Sequence, residues 1–387
     1  MKFFPIRATY IFFLSLLCAL PLLASEAERV QVKLDASEAE CVLAILAKRK
    51  EARPITDADW RALFATEPYR RLKEREATMH RNFSDDDFRK FVLTDELAQQ
   101  YDGLARTLAA WKKADLHAGG RRVLQYLPAQ AAIHAKVFPE IKPKHNSFVF
   151  DVDTDPAIFL YLDPKVSQQE FDNTVSHEMH HIGLSSTDKQ FDKKIAMLTP
   201  AAQKAARWMG AFGEGLAVLA AAGGPDLPPN RHSQPDVQQN WELGIRNFDK
   251  DLGTLNEFFL QVLDGRLKDD AADQKARTFY GDIQGPWYTV GYRMAVLVEA
   301  HYGRPALIEC MLDRRLLLAR YNRAAEELNA SGNDHLPLWS QEVLRGVIPA
   351  ESSSTHKGIG SHSYENGFAH RRTYSQLHLE VISFEAD

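Results

Sequence analysis

The chain of 387 residues has few cysteines, no strongly basic segment and only one long apolar run. Of its three cysteines, Cys18 lies inside that apolar run, which leaves Cys41 and Cys310. Two thiols cannot build a cysteine-rich structural zinc site, because such a site uses three or four of them. The sequence leaves two alternatives open for this pair, a single disulfide or two free buried thiols.

The charge balance is slightly acidic, with 47 Lys and Arg against 52 Asp and Glu and a net charge of −5. Removing the two basic residues of the N-terminal segment, Lys2 and Arg7, gives −5 − 2 = −7. No nucleic acid partner is expected, because nucleic acid binding needs a basic surface. A hydrophobic content of 45% is ordinary for a globular protein of one large or two modest domains.

The single apolar run lies at the N-terminus, from Tyr10 to Leu23, after Lys2 and Arg7 and before Ala24. This order of basic, apolar and small residues predicts a secretory signal peptide over residues 1–24. The run has about 14 residues, whereas a membrane-spanning helix needs roughly 20. We therefore expect a periplasmic or secreted protein with no stable membrane span after signal cleavage.

The run His177-Glu178-Met179-His180-His181 fits H-E-x-x-H, the signature of many zinc hydrolases. On a helix, His177 and His181 are neighbours on one face and can hold one ion between them. Glu178 lies beside the pair, where it is predicted to contact a water rather than the metal. His180 points elsewhere and is not predicted to be a ligand. The alternative is a chance match on a solvated helix.

The third metal ligand must come from another part of the chain. Metzincins continue the motif with H-x-x-G-x-x-H, but Leu184 and Thr187 stand at those glycine and histidine positions. A carboxylate on a second helix is the remaining choice, and Glu214 is our prediction, with Glu299 as its main rival. The alternative role for Glu214 is a salt bridge with an arginine.

Glu214 lies in an apolar, alanine-rich segment, Trp208–Ala222, which is followed by Gly223 and Gly224. This pattern predicts a buried helix that ends at a glycine C-cap. A carboxylate on such a helix must be paired or bound to metal, because burying a lone charge is costly. Ligand spacing by itself thus indicates a site for metal-assisted hydrolysis.

The H-E-x-x-H motif followed by Gly213-Glu214-Gly215-x-Ala217 resembles the gluzincin arrangement of zinc peptidases. It resembles more closely a bacterial, largely uncharacterised family of zinc-dependent peptidases, over most of the chain from about Val32 to Leu344. The resemblance implies a Zn²⁺ cofactor on His177, His181 and Glu214, with Glu178 as general base and then general acid. It also implies a peptide or protein substrate that is hydrolysed by a metal-activated water.

A further likeness concerns Trp287–Tyr292, which is similar to the Tyr-x-Lys-Gly element of N-type aminopeptidases. The tyrosine of that element stabilises the oxyanion, which implies the same role for Tyr288. Val290 replaces the lysine, and the Gly-x-Met-Glu-Asn exopeptidase motif is missing, so aminopeptidase specificity is not implied. Simple packing of Tyr288 on Trp287 is the alternative, and Tyr292 and His301 are rival oxyanion donors.

The remaining sequence predicts an α+β fold that is predominantly α-helical, with a small β-sheet before the H-E-x-x-H helix. The resemblance to gluzincins implies a gluzincin-like core and an edge strand in that sheet that aligns substrate. Gly119-Gly120 is expected to interrupt the helical pattern. The sheet either aligns substrate along an edge strand or only packs on helices. The predicted long helices and strands are Trp60–Met79, Phe88–Lys112, Trp208–Ala222, Asp236–Leu263, Ser147–Phe150 and Ile158–Leu162.

We divide the chain into a signal peptide (1–24), an N-terminal helical region (26–146), a zinc-peptidase catalytic region (147–346) and a disordered tail (347–387). The tail assignment rests on its Ser, His and Gly content and poor periodicity. The predicted function is a zinc-dependent peptidase. The alternatives are a zinc hydrolase of another amide or ester and a non-catalytic secreted binding protein that contains metal. No pattern indicates an oligomeric state.

Overall fold

One four-stranded sheet of order β1-β2-β4-β3 is the centre of the N-terminal half. Strands β1, β2 and β4 are parallel, and the short edge strand β3 is antiparallel to β4, with Phe148 opposite Phe159. The strands are β1 (Val30–Leu34), β2 (Ile133–Glu140), β3 (Phe148–Phe150) and β4 (Ala157–Tyr161). The predicted strand pair before the metal helix is confirmed as β3 and β4.

This computed structural model describes residues 26–187, 190–332 and 335–348. Within them, helices surround the small sheet, which confirms the predicted α+β, mostly helical class. The helices of the N-terminal half are α1 (Glu26–Arg29), α2 (Ser37–Lys50), α3 (Asp57–Phe64), α4 (Glu67–Thr78), α5 (Asp85–Val92), α6 (Asp95–Trp111) and α7 (Leu116–Leu124). The predicted signal peptide and the tail beyond Ile348 lie outside the described residues.

The C-terminal half continues with helices that carry the predicted site. They are α8 (Gln168–Ser185), α9 (Phe191–Ile195), α10 (Pro200–Trp208), α11 (Gly213–Ala222), α12 (Pro235–Arg246), α13 (Phe248–Leu263), α14 (Asp269–Arg277), α15 (Pro286–Tyr302), α16 (Arg304–Leu312), α17 (Arg315–Ala330) and α18 (Gln341–Val347). None of the helices in the described ranges combines the length and apolarity that crossing a membrane requires.

Two predictions of a single long helix are wrong, because each segment forms two helices in the structure. Trp60–Met79 divides into α3 and α4 at Thr66, whose backbone is extended. Pro68 follows in the first turn of α4, where the amide hydrogen that it lacks is not needed. Phe88–Lys112 divides into α5 and α6 at Thr94, whose hydroxyl caps α6 by accepting a hydrogen bond from Leu97 N at 3.3 Å.

The other two segments predicted as single long helices are also interrupted in the structure. Asp236–Leu263 is α12 and α13, which meet at Asn247, a residue of weak helix propensity. Trp208–Ala222 begins with the end of α10, passes through a 3₁₀ turn at Met209–Phe212 and continues as α11. The predicted glycine C-cap of α11 is present, since Gly223 has a φ of 94° in the left-handed region.

The predicted break at Gly119-Gly120 is wrong, because both glycines lie inside α7. A Cβ atom at Gly120 would lie 2.5 Å from Val30 Cγ1, and one at Gly119 would lie 2.7 Å from Ser176 Oγ. The two glycines therefore let α7 pack closely against β1 and α8. Their role is close packing rather than chain termination.

Cys41 and Cys310 are free thiols in the structure, so of the two alternatives the disulfide is not formed. Cys310 is fully buried beside Arg320, whose guanidinium lies 3.5 Å from its sulfur. Burial raises the pKa of the Cys310 thiol to about 11. The thiol is therefore protonated at neutral pH and unreactive.

Candidate metal centre

Helix α8 carries the H-E-x-x-H motif and packs against β2, α7 and α11. It begins at Ser167, whose hydroxyl accepts a hydrogen bond from Glu170 N at 3.1 Å. Its apolar stripe of Phe171, Val175 and Ile182 is buried in the core. The packing of this stripe leaves His177 and His181 on a different face of the helix, toward α11.

Helix α11 places a carboxylate opposite the two imidazoles. All of its residues are buried, and Glu214, in its first turn, is 0% exposed. Nε2 of His177 lies 3.0 Å and Nε2 of His181 lies 3.3 Å from Oε2 of Glu214. The two Nε2 atoms are 3.1 Å apart.

These distances fit a zinc site. In a tetrahedral site with ligand bonds of about 2.0–2.1 Å, neighbouring ligand atoms lie about 3.3 Å apart. In the described ranges, the three residues form the one group of His, Cys, Asp or Glu side chains whose ligand atoms converge in this way. Two imidazoles and one carboxylate are also a donor set that Zn²⁺ uses in catalytic sites.

Charge and burial oppose each other at the histidine pair. Burial by itself would lower the pKa of His181, but the charge of Glu214 and its hydrogen bond outweigh burial, and the pKa of His181 is raised. The charge of Glu214 thus makes the surroundings of the two histidines anionic rather than neutral, which suits a cation. A metal ion that binds there must displace any proton on its ligands.

Glu178 lies next to the group without belonging to it. Its side chain is 6% exposed, and its Oε2 atom accepts no hydrogen bond. Burial raises the pKa of Glu178, and the neighbouring His177 and His181 offset this only in part. A buried carboxylate oxygen with no partner in the protein is suited to a proton from a water or a substrate.

His180 also stays outside the ligand group. It is fully buried, and neither ring nitrogen has a hydrogen-bond partner. Burial lowers the pKa of His180 well below its usual value, so the ring is neutral. Its ring lies 6.0 Å from the ring of His181 between centroids, and its nitrogen atoms do not join the converging ligand atoms.

Tyr288 approaches the centre from the first turn of α15. Its ring lies nearly parallel to the ring of His177, with 6.2 Å between the centroids. Burial raises the pKa of Tyr288 well above its usual value, and the charge of Glu214 and a hydrogen bond to that residue add to this effect. The phenol therefore stays protonated and can donate.

The rival residues have other partners. Glu299 accepts from Arg304 Nε at 2.8 Å and from Tyr126 Oη at 3.3 Å. The ring of Tyr292 packs edge-on against Trp241, and His301 lies 3.1 Å from a carboxylate oxygen of Glu327. Among these candidates in the described structure, Glu214 lies beside both histidines and the ring of Tyr288 lies beside His177.

Two glycines that carry no chemistry are needed to bring Tyr288 there. A Cβ atom on Gly215 would lie 2.1 Å from Tyr292 N and 2.5 Å from Tyr288 O. A Cβ atom on Gly291 would lie 2.6 Å from Phe212 O. Helices α11 and α15 thus cross with their backbones in contact. Gly215 and Gly291, each inside an apolar segment, were the available signals for this crossing in the sequence, and sequence reasoning missed them.

Comparison with known proteins identifies a family for this chain. A family model described as "Putative zinc dependent peptidase (DUF5700)" matches residues 60–330. No curated protein and no solved structure matches the chain. The matched range holds the H-E-x-x-H helix, Glu214 and Tyr288, and it covers more than half of the 387 residues. The chain therefore belongs to this family.

Proposed function

We propose that this protein is a zinc-dependent peptidase whose metal is held by His177, His181 and Glu214. The observation that carries the proposal is the convergence of their Nε2 and Oε2 atoms to 3.0–3.3 Å of one another. The family description names zinc-dependent peptidases and supports the same chemistry. We extend the proposal to a gluzincin-type centre, on the strength of a His pair on one helix and a Glu on the next.

An enzyme is favoured over a structural metal site by the number of ligands. The converging group in the described residues has three members, whereas structural zinc sites are closed by four protein ligands. A bound Zn²⁺ supplies a Lewis acid that activates a water and polarises the substrate carbonyl. The same three residues would serve a hydrolase of another amide or an ester, which is the second candidate.

Glu178 is assigned the proton transfers. Its Oε2 atom is buried and has no hydrogen-bond partner among the described residues, and Glu178 follows His177 directly in the chain. In the proposed reaction, this oxygen takes a proton from the attacking water and then delivers it to the leaving amine. The carboxylate lies on a helix that packs against β2, α6, α7 and α11, and its side chain is buried.

Tyr288 is assigned as hydrogen-bond donor to the oxyanion. The phenol is protonated, lies beside His177 and can donate without carrying charge in the ground state. Its hydrogen bond to Glu214 supports a second contribution, in which it orients that carboxylate. The edge strand β3, which precedes the metal helix, is the proposed place where a peptide substrate aligns.

A peptide-library digest followed by mass spectrometry tests the proposed function, together with zinc analysis of the purified protein and of two variants. Glu178→Gln should retain near-stoichiometric zinc and lose most peptide cleavage, because a proton acceptor is lost and no ligand is. His181→Ala should lose both zinc and activity. Secretion, which we propose from the N-terminal sequence alone, is tested by fractionating cells that express the full chain.

The two variants separate the alternatives. Equal zinc loss in Glu178→Gln and His181→Ala would overturn the role given to Glu178. Stoichiometric zinc with no cleavage of any peptide, but with cleavage of ester or other amide substrates, would replace the peptidase by the second candidate. Four protein ligands around the zinc, with no activity on any of these substrates, would leave a structural metal.

A further inference from the structure

A cavity of about 320 Å³ lies between α7, the start of α8, the end of α11 and the connection from α11 to α12, and we call it the α7–α8 cavity. The connection is held in place, because Gln234 Nε2 donates to Lys165 O at 2.8 Å and Asn230 Nδ2 donates to Gln284 Oε1 at 2.6 Å. The cavity therefore has a fixed outer wall. The lining residues used below are Asp115, Arg122, Asp172, Asn173, Ala221 and Arg231.

The cavity lies beside the candidate metal centre along two helices. Asn173 lines it from α8, and His177 follows Asn173 by one turn on the same face of that helix. Ala221 lines it from α11, two turns beyond Glu214 and on the same face. The side chains of His177 and His181 are 13% and 10% exposed, so the metal centre is open to a substrate. A peptide bound at the centre can therefore extend into the cavity.

The separation along α8 sets which residue of a substrate reaches the cavity. The midpoint between His177 and His181 is six residues beyond Asn173, which is about 9 Å at a rise of about 1.5 Å per residue. An extended peptide rises about 3.3 Å per residue. The cavity is therefore reached by a residue about two or three positions from the bond at the metal centre.

Asn173 offers an accessible amide in this cavity. Its side chain is partly exposed, and among the described residues its amide has no hydrogen-bond partner. Asn173 does not cap α8, because the hydroxyl of Ser167 does so. Asparagine is also less favourable than alanine inside a helix, and no hydrogen bond within the described chain offsets that cost. A residue that breaks a local rule without a visible gain is a candidate for function.

The charges around the cavity are balanced. Arg122 pairs with Asp172 at 2.9 Å. Arg231 and Asp115 also line the cavity, and their charges are opposite. The cavity therefore favours neither sign of charge, which suits the neutral main chain of a peptide better than an acidic or a basic side chain. An asparagine amide has both a donor and an acceptor, as a peptide group has.

We propose that Asn173 binds the main chain of the substrate in the α7–α8 cavity, about two or three residues from the scissile bond. Its Nδ2 atom donates to a substrate carbonyl, and its Oδ1 atom accepts from a substrate N–H. The substrates are thus extended peptides rather than dipeptides or small esters. This inference rests on the proposed peptidase function and adds the length of peptide that the site takes.

Kinetics on a peptide and its shortened forms test the proposal. The probe is a fluorogenic form of the peptide that the wild type cleaves best in the library digest, together with forms shortened residue by residue from either end. Asn173→Ala should raise KM for the full-length probe about three- to tenfold with little change in kcat, because a hydrogen bond made in both the ground state and the transition state is lost. On the forms that no longer reach the cavity, the variant and the wild type should have the same KM. The end at which shortening removes the difference identifies the side of the scissile bond, and either side supports the proposal.

Asn173→Ala should fold, since Asn173 is partly exposed and alanine favours a helix. Its zinc content should equal that of the wild type, because Asn173 is not among the ligands. Asn173→Gln keeps the amide and should recover part of the loss in KM. Asn82→Ala makes the same change at an exposed amide outside the cavity and should behave as the wild type does.

Two results would overturn this proposal and leave the peptidase function intact. One is an unchanged KM for Asn173→Ala on the full-length probe. The other is an equal loss on the full-length and the shortened probes, or a loss of zinc, either of which would make Asn173 a structural residue. If the wild type cleaves no peptide at all, the peptidase function itself is overturned, and this inference falls with it.

Discussion

The substitution Gly215→Ala tests whether the backbone crossing of α11 and α15 holds the metal centre together. The new Cβ would lie 2.1 Å from Tyr292 N, whereas ordinary contact begins at 3.4 Å. Helix α15 must therefore move by about 3.4 − 2.1 = 1.3 Å at this point. The atoms that it meets belong to backbone, so no side-chain rotation can relieve the overlap.

The expected magnitude follows from two opposing effects. Overpacking of a buried contact costs about 1–3 kcal/mol, and sometimes more when the neighbours are rigid. Alanine in place of glycine in a helix returns up to about 1 kcal/mol. We expect the free energy of unfolding to fall by about 2 kcal/mol. The shift of α15 also separates Tyr288 from Glu214, so zinc affinity should fall about tenfold or more.

Urea unfolding and zinc titration measure the two quantities, and the same helix offers a matched control. A Cβ at Gly213 would meet nothing within 4 Å, and the backbone there is helical with a φ of −53°. Gly213→Ala should therefore change the free energy of unfolding by less than about 1 kcal/mol. If Gly215→Ala were as stable as the wild type, or if both variants lost the same stability, the close crossing would not be the reason for Gly215.

Two further outcomes are expected. Tyr288→Phe should lower kcat by on the order of 10²-fold with little change in KM, because the oxyanion bond forms mainly in the transition state; steady-state kinetics measure this, and a loss of zinc instead would limit the hydroxyl to orienting Glu214. The second outcome concerns Glu38, whose pKa burial raises from 4.5 to about 8. Between these values the folded protein holds a proton that the unfolded chain releases, so the contribution of Glu38 to the free energy of unfolding is fully present below pH 4.5 and is lost as the pH rises to about 8. Urea unfolding at pH 5 and pH 8 checks the slope, and a slope that Glu38→Gln leaves unchanged would assign it to another group.

The buried charges around Glu38 explain why that slope is expected. Glu38 and Glu140 are both fully buried, and neither Oε atom of Glu140 has a hydrogen-bond partner. Burial raises the pKa of Glu140 well above its usual value, and the nearby charge of Glu38 raises it further. Two carboxyl groups in this position cannot both ionise readily, so the fold holds at least one proton there.

The local geometry of the candidate metal centre could be predicted from sequence because it depends on short-range contacts. Two histidines four residues apart face the same way on any α-helix, so the pairing of His177 with His181 needs no information about the rest of the chain. The C-cap at Gly223 is equally local, since a left-handed residue at a helix end favours glycine. The β3–β4 pair was also predictable, as its strands are separated by a short connection.

Other features were misjudged although their signals were local. Pro68 and the two threonines at N-cap positions, Thr66 and Thr94, mark helix starts. The apolar periodicity continued across them and suggested single helices. The periodicity survives because neighbouring short helices can bury their apolar sides in the same core. At Gly119-Gly120 the error runs the other way, because two adjacent glycines suggest a helix break where the structure has a continuous helix. Only the close approach of Val30 and Ser176 explains why glycines stand there.

The sequence predicted Glu214 with Glu299 as its rival, and the tertiary structure shows that Glu214 is the carboxylate that lies near the two histidines. Both carboxylates lie on apolar helices, and sequence spacing does not say which helix packs on α8. In the fold, α11 packs against α8, whereas Glu299 pairs with Arg304. Strands β1 and β2 were missed for a related reason: they pair in parallel although about 100 residues separate Val30 from Ile133. Contacts between distant segments depend on how the whole core packs, and that information is not contained in any local pattern.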